Sequence, residues 1–343
     1  MKQSEEKPVR LTRIDIARGI AIFLVVLGHA LPTGGDAKRY VYYFHMPLFF
    51  LISGLLLKAE KPASFGEALS VFGKKLRAYY VPYVVWGLIY AQFGLENIFR
   101  ILYGSRPAIM DADSVSSLWF LPVMLLAALI CPPLLSLAQG TGHPMVLTGV
   151  CAACLFAVSL LLPGIDKGYP LGFDIALAGA AFMLLGRMIR PLTDVFVNRK
   201  KLTVILAMAF SVLFVLSVLF LTPADMHVEM YRGGYGNLFF FFLNALSGSF
   251  AVILWAMAAD SLPFKGAAVY VGQNTLGILL IHRRMVKAVT EWMKAYPYME
   301  THPHLRALAA ALCTLVLSLL INGLIKLCLP ELVGARRSLQ TNK

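Results

Sequence analysis

The chain has 343 residues, 59% hydrophobic and only 14% charged, against about 25% charged in a soluble domain. With a mean hydropathy of +0.72, a water-soluble enzyme, a nucleic-acid-binding protein and a disordered chain are excluded as readings of the whole chain. The remaining charge is basic, 31 Lys+Arg against 18 Asp+Glu for a net +13. In so apolar a chain that excess marks cytoplasmic loops at an anionic lipid surface, or an anionic ligand.

A membrane helix needs about 20 mostly apolar residues, and the sequence offers ten such segments: 14–32, 41–57, 76–94, 117–138, 145–163, 170–189, 202–221, 237–259, 266–288 and 306–329. The expected fold is therefore all-α, a polytopic bundle of about ten transmembrane helices over 14–329, with short tails at 1–13 and 330–343. Basic residues precede GIAIFLVVLGHA, but no small-residue cleavage site follows, so this is a first span and not a signal peptide. With the N-terminus inside, most Lys and Arg fall on inside segments, including Lys2, Lys7, Arg10, Arg13, Arg18, the run from Lys58 to Arg77 and Arg336-Arg337. Both termini are then cytoplasmic. The basic stretch from His282-Arg283-Arg284 to Arg306 is the exception, because this topology places it outside.

The first helix carries the strongest chemical signal. In LTRIDIARGIAIFLVVLGHA the ionisable residues are Arg13, Asp15, Arg18 and His29. At 100° per residue Arg18 and His29 lie only ~20° apart, with Ile22 and Val25 between them and Asp15 about 60° from Arg18. One stripe thus has an Asp–Arg pair at one end and an imidazole roughly 16 Å further along. Charges inside a span are costly and usually face a functional interior. Interfacial anchoring is the plainer alternative for Arg13, Asp15 and Arg18. In the second span, His45 enters from the outer side, at the depth of His29, so the two imidazoles suggest a polar cavity opening outward. Pro47 is expected to break the helix ladder there, and Ser53-Gly54 to permit close packing.

The five cysteines are odd in number and lie in or at the ends of apolar stretches, so no disulfide framework is expected. Cys151-Ala-Ala-Cys154 sits inside a membrane segment with no further ligands and reads as packing. His227, Glu229, His302 and His304 have no metal-ligand spacing and are expected to be solvated; no metal is expected.

The residues now described resemble the acyltransferase 3 family of integral membrane acyltransferases, and in particular its fucose 4-O-acetylase-like branch. The resemblance runs through IDIARGIAIFLVVLGHA, YYFHMPLFFLISG at 42–54, KKLRAYYVPY at 74–83, SLWFLPVMLL at 117–126, FDIALAGAAFMLLGRMI at 173–189 and VGQNTLGILLIH at 271–282. It implies a ten-helix membrane domain that moves an acyl group, usually acetyl from acetyl-CoA, to a carbohydrate or lipid-linked glycan hydroxyl. It also implies that Arg18 and His29 are the essential pair of the first helix, and that Lys74 to Arg77 is the basic motif, with Lys74 in place of an arginine.

On that reading Arg18, Lys74, Lys75 and Arg77 meet the donor's phosphates at the cytoplasmic mouth, and Asp15 orients Arg18. His29 is the general base or carries the acyl group transiently, and His45 handles a second proton or positions the acceptor. Trp119 is a candidate sugar platform, and Asn237 and Asn244, seven residues apart on one helix face, are candidate cavity residues. Gln273, Asn274 and His282 fall in a segment that fits the family, and Asp174 reads as a pairing partner. Expected partners are acetyl-CoA, the glycan acceptor and membrane lipids, with no nucleic acid. Two alternatives stand beside the enzyme: a transporter of a lipid-linked saccharide using a histidine proton relay, and a non-catalytic membrane partner.

Overall fold

A computed structural model describes residues 11–32, 35–109 and 115–333; Lys2, Lys7, Arg10 and Arg336-Arg337 lie outside them. The described chain is helical, without strands among the described residues and with one isolated bridge, Glu229–Gly234. Its helices are α1 (Thr12–Ala30), α2 (Asp36–Tyr42), α3 (His45–Leu55), α4 (Phe65–Lys75), α5 (Val81–Tyr90), α6 (Leu95–Tyr103), α7 (Arg106–Ile109) and α8 (Phe120–Gln139). There follow α9 (Pro144–Leu161), α10 (Phe173–Val197), α11 (Lys200–Leu216), α12 (Leu238–Ala259), α13 (Gly266–Gln273), α14 (Thr275–Lys294), α15 (Pro297–Thr301) and α16 (Pro303–Cys328).

Among the described residues six helical stretches are long and apolar enough to cross a membrane: Ser116–Gln139, Pro144–Leu161, Pro170–Val197, Lys200–Leu221, Leu238–Ala259 and Pro303–Cys328. This is a polytopic all-α membrane protein. The other four expected spans are helical but interrupted, short or charged. The first is α1, which carries Arg13, Asp15 and Arg18. The second divides at Tyr43–Phe44 into α2 and α3, the third is a π-turn at Leu76–Tyr80 running into the ten-residue α5, and the ninth divides at Asn274. Pro47 interrupts nothing: it lies in the first turn of α3, where its missing N–H has no intrahelical partner to lose. The expected C-terminal tail starts packed, since Trp86 Nε1 donates to Leu332 O at 2.9 Å.

Small residues set how closely these helices approach, as membrane packing requires. A Cβ on Gly54 would stand 2.0 Å from Met183 O, and one on Gly186 2.2 Å from Leu51 O, so the α3 and α10 backbones touch. Likewise a Cβ on Gly272 would stand 1.8 Å from Asp15 O, which clamps α13 to α1. Helix α1 packs against α3, α12, α13, α14 and α16 and so forms the bundle's centre. The break at Asn274 is filled by polar groups: Asn274 Oδ1 accepts from Asn322 Nδ2 at 2.7 Å and from Lys326 Nζ at 2.6 Å. All described cysteines are free, and Cys151 and Cys154 make no disulfide.

A second polar repair lies in α8, which contains Pro132 and Pro133. Pro132 has no N–H, so it leaves the carbonyl four residues back, that of Ala128, without its helical donor. Lys75 Nζ donates to Ala128 O at 2.9 Å and pairs with Glu60 at 2.7 Å.

Candidate functional site

The face read from α1 is a wall of the principal cavity. Arg18, Ile22, Val25 and His29 all line a space of about 850 Å³. The α3 side chains His45, Phe49 and Ser53 form the neighbouring wall, and the α13–α14 junction closes it with Gln273, Leu279, His282 and Arg283. Beyond the C-terminal end of α1 the cavity reaches Lys38, Arg106, Trp119, His227, Glu229, Tyr231 and Arg232. It therefore runs the length of the α1 stripe.

Two histidines dominate its middle. Arg283 Nη1 donates to His29 Nδ1 at 2.9 Å, and the His29 and His282 rings lie 5.2 Å apart, tilted by 39°. His282 is fully buried and its Nδ1 bonds the Leu279 and Ile278 carbonyls at 2.8 and 3.2 Å, while its Nε2 is buried with no hydrogen-bond partner. The His45 Nδ1 bonds Val41 O at 2.8 Å, and its ring lies 4.9 Å from Tyr42.

The far end is aromatic and ionic. Trp119 and Tyr231 have ring centroids 6.3 Å apart, and the Arg106 guanidinium lies 3.8 Å over Tyr231. Glu229 accepts from Tyr231 Oη at 2.7 Å and from Arg232 Nη1 at 2.9 Å. Burial pushes the Glu229 carboxyl up, but the bonds from Tyr231 and Arg232 outweigh it and hold the group below its ordinary value. Burial, with the nearby Arg283 charge, pulls the Lys38 ammonium below its usual range.

Several expectations change. Asp15 is buried behind the wall and faces Gln273, whose Nε2 donates to it at 3.4 Å; no Asp15–Arg18 pair is among the ion pairs of the described residues. Arg13 instead reaches Asp194 at 2.9 Å, tying α1 to α10. Lys74 and Arg77 are exposed, and neither they nor Lys75 line the cavity; Lys75 is held by Glu60 and the proline-freed carbonyl. Asn237 is the exposed N-cap of α12, accepting from Phe239 N at 3.0 Å. Asn244 is fully buried between Ser217 Oγ at 2.6 Å and Thr222 Oγ1 at 2.8 Å, a helix-to-helix joint and not a cavity residue. His227 and Glu229, expected in solvent, line the cavity, whereas His302 and His304 are exposed.

The residues missed are Arg283, Arg106, Lys38 and Tyr231, and His282 was recognised without a role. Of these only Arg283 had a sequence signal, the basic stretch that stood out against the Lys/Arg bias: Arg283 bonds His29, and its neighbour Arg284 stacks on Tyr90 at 4.4 Å. Among the described residues no three His, Cys, Asp or Glu side chains gather to hold a metal.

A helical membrane bundle with a central imidazole cavity, cationic at both ends, suits group transfer to or from a charged donor. The family assignment is specific: the acyltransferase 3 model (Acyl_transf_3, acyltransferase domain) matches residues 11–323, and the chain belongs to that family. It is a membrane acyltransferase. No curated protein and no solved structure matches it.

Proposed function

We propose that this protein is an O-acetyltransferase that moves an acetyl group from acetyl-CoA to a hydroxyl of a carbohydrate, as a lipid-linked or cell-surface glycan, in the manner of the fucose 4-O-acetylase-like branch. The observation that carries the reading is the single cavity that joins Arg18 to the Trp119–Tyr231 end past His29 and His45. A thioester donor with a phosphorylated head needs a cation at its entry, and Arg18 supplies one inside the cavity. The exposed Lys74 and Arg77 can meet phosphates only outside it, at the mouth. A sugar needs flat aromatic faces with polar groups beside them, which Trp119, Tyr231 and Glu229 offer. The enzyme sits in the cell (inner or plasma) membrane with both termini cytoplasmic, so that the Arg18 end faces the acetyl-CoA pool.

Purified protein in nanodiscs, given radiolabelled acetyl-CoA and a glycan acceptor, tests this. Label on the glycan, lost in Arg18→Ala, is the expected result. Glycan binding with no consumption of acetyl-CoA would overturn it.

A further inference from the structure

Of the four cavity histidines, His29, His45 and His282 have ring hydrogen bonds that fix which nitrogen holds the proton. A guanidinium has donors only, so His29 Nδ1, 2.9 Å from Arg283 Nη1, must accept. Neutral His29 therefore carries its proton on Nε2. A carbonyl oxygen accepts only, so the Nδ1 of His282, bonded to Leu279 O and Ile278 O, carries the proton and leaves a lone pair on Nε2. That Nε2 is buried in the cavity wall and has no donor. The two neighbouring rings, 5.2 Å apart, thus carry one N–H and one lone pair on their Nε2 atoms.

We propose that His282 is the general base of the acyl transfer and that His29, locked by Arg283, is the hydrogen-bond donor to the acyl oxygen. This rests on the transferase reading and departs from the expectation that His29 takes the proton. The acceptor hydroxyl supplies the donor that His282 Nε2 lacks. As the hydroxyl oxygen forms its bond to the thioester carbon, its proton passes to His282 Nε2. The carbonyl electron pair moves onto oxygen, where the His29 Nε2–H holds it. The intermediate collapses: the carbonyl re-forms, the carbon–sulfur bond breaks with its electron pair on sulfur, and the protonated His282 returns the proton to that thiolate. Products are the acetyl ester and free thiol, with both histidines restored. Arg283 acts through His29 and is a positioning residue. His45, whose Nδ1 also bonds a carbonyl, is the competing base that the experiment must separate.

Nitrogen-15 NMR of histidine-labelled wild-type protein in lipid, assigned with His29→Gln and His282→Gln, reads the tautomers directly. The expected result is a proton on Nε2 of His29 and on Nδ1 of His282; the reverse in either residue overturns the proposal. Transfer rates from acetyl-CoA separate the roles, because glutamine donates a hydrogen bond but cannot take a proton. His29→Gln should stay about tenfold or more above His29→Ala, whereas His282→Gln and His282→Ala should fall together by about 10²–10⁴. A His29→Gln as inactive as His29→Ala, or a loss with His45→Gln and none with His282→Gln, would overturn the assignment. A wild-type protein that transfers no acetyl would remove the transferase reading and the base assignment with it, while the spectra would still decide the two tautomers.

Discussion

Lys75 offers a test in which the structure and the family motif predict different outcomes. Lys75→Met removes the donor to Ala128 O and the partner of Glu60, while keeping the apolar stem. A carbonyl left unpartnered by Pro132 costs about 1–3 kcal/mol; the Glu60 pair, in which Lys75 is 16% and Glu60 36% exposed, adds less than about 1 kcal/mol. Thermal unfolding in detergent should therefore fall by several degrees, while the KM for acetyl-CoA stays within about twofold. Pro132→Ala in the Lys75→Met background returns the backbone N–H that serves Ala128 O, and should recover most of the loss in a double-mutant cycle. If Lys75→Met left stability unchanged and raised the KM for acetyl-CoA tenfold, Lys75 would be a donor ligand and the helix-repair account would be wrong.

Three further outcomes follow from the same physics. Gly54→Ala forces a methyl to within 2.0 Å of Met183 O and should cost about 1–3 kcal/mol or more, read as lost monodisperse protein on size-exclusion chromatography. Asn244→Ala orphans Ser217 and Thr222 and should lower stability by about 1–3 kcal/mol, with activity per folded molecule unchanged. Glu229 is more acidic in the folded protein than its ordinary value of 4.5, so its ionised form, and the loop bonds it accepts, persist at neutral pH and fail only as pH falls through the lowered folded value. The KM for the acceptor should therefore be flat above 4.5 and rise at more acid pH, and Glu229→Gln should raise it at every pH and remove that acid limb.

The α1 stripe was legible because helical periodicity alone places Arg18, Ile22, Val25 and His29 on one face, and all four line the cavity. His45 and Trp119 followed from their positions near helix starts. Periodicity misled at Asn237 and Asn244, since seven residues' spacing gives a shared face but does not tell a cap from a joint. The structural partner of Lys75 was not legible, because Ala128 is 53 residues away and its carbonyl is free only through a proline one turn along another helix. Arg283 was hidden by the Lys/Arg bias itself: the bias counts an arginine as surface charge, whereas this one enters the wall to bond His29. Six uninterrupted spans remain among the described residues, because charges in α1, breaks at Tyr43–Phe44 and Asn274 and the π-turn at Leu76–Tyr80 interrupt the other four.

The central claim is that one cavity lets an acetyl group pass from a donor at the Arg18 end to an acceptor at the Trp119–Tyr231 end. Sealed proteoliposomes with radiolabelled acetyl-CoA on one side and glycan on the other test it most directly. The account predicts label on the glycan across the bilayer, abolished by His29→Ala and Arg18→Ala. Glycan crossing unmodified, or acetyl-CoA left intact, would contradict it.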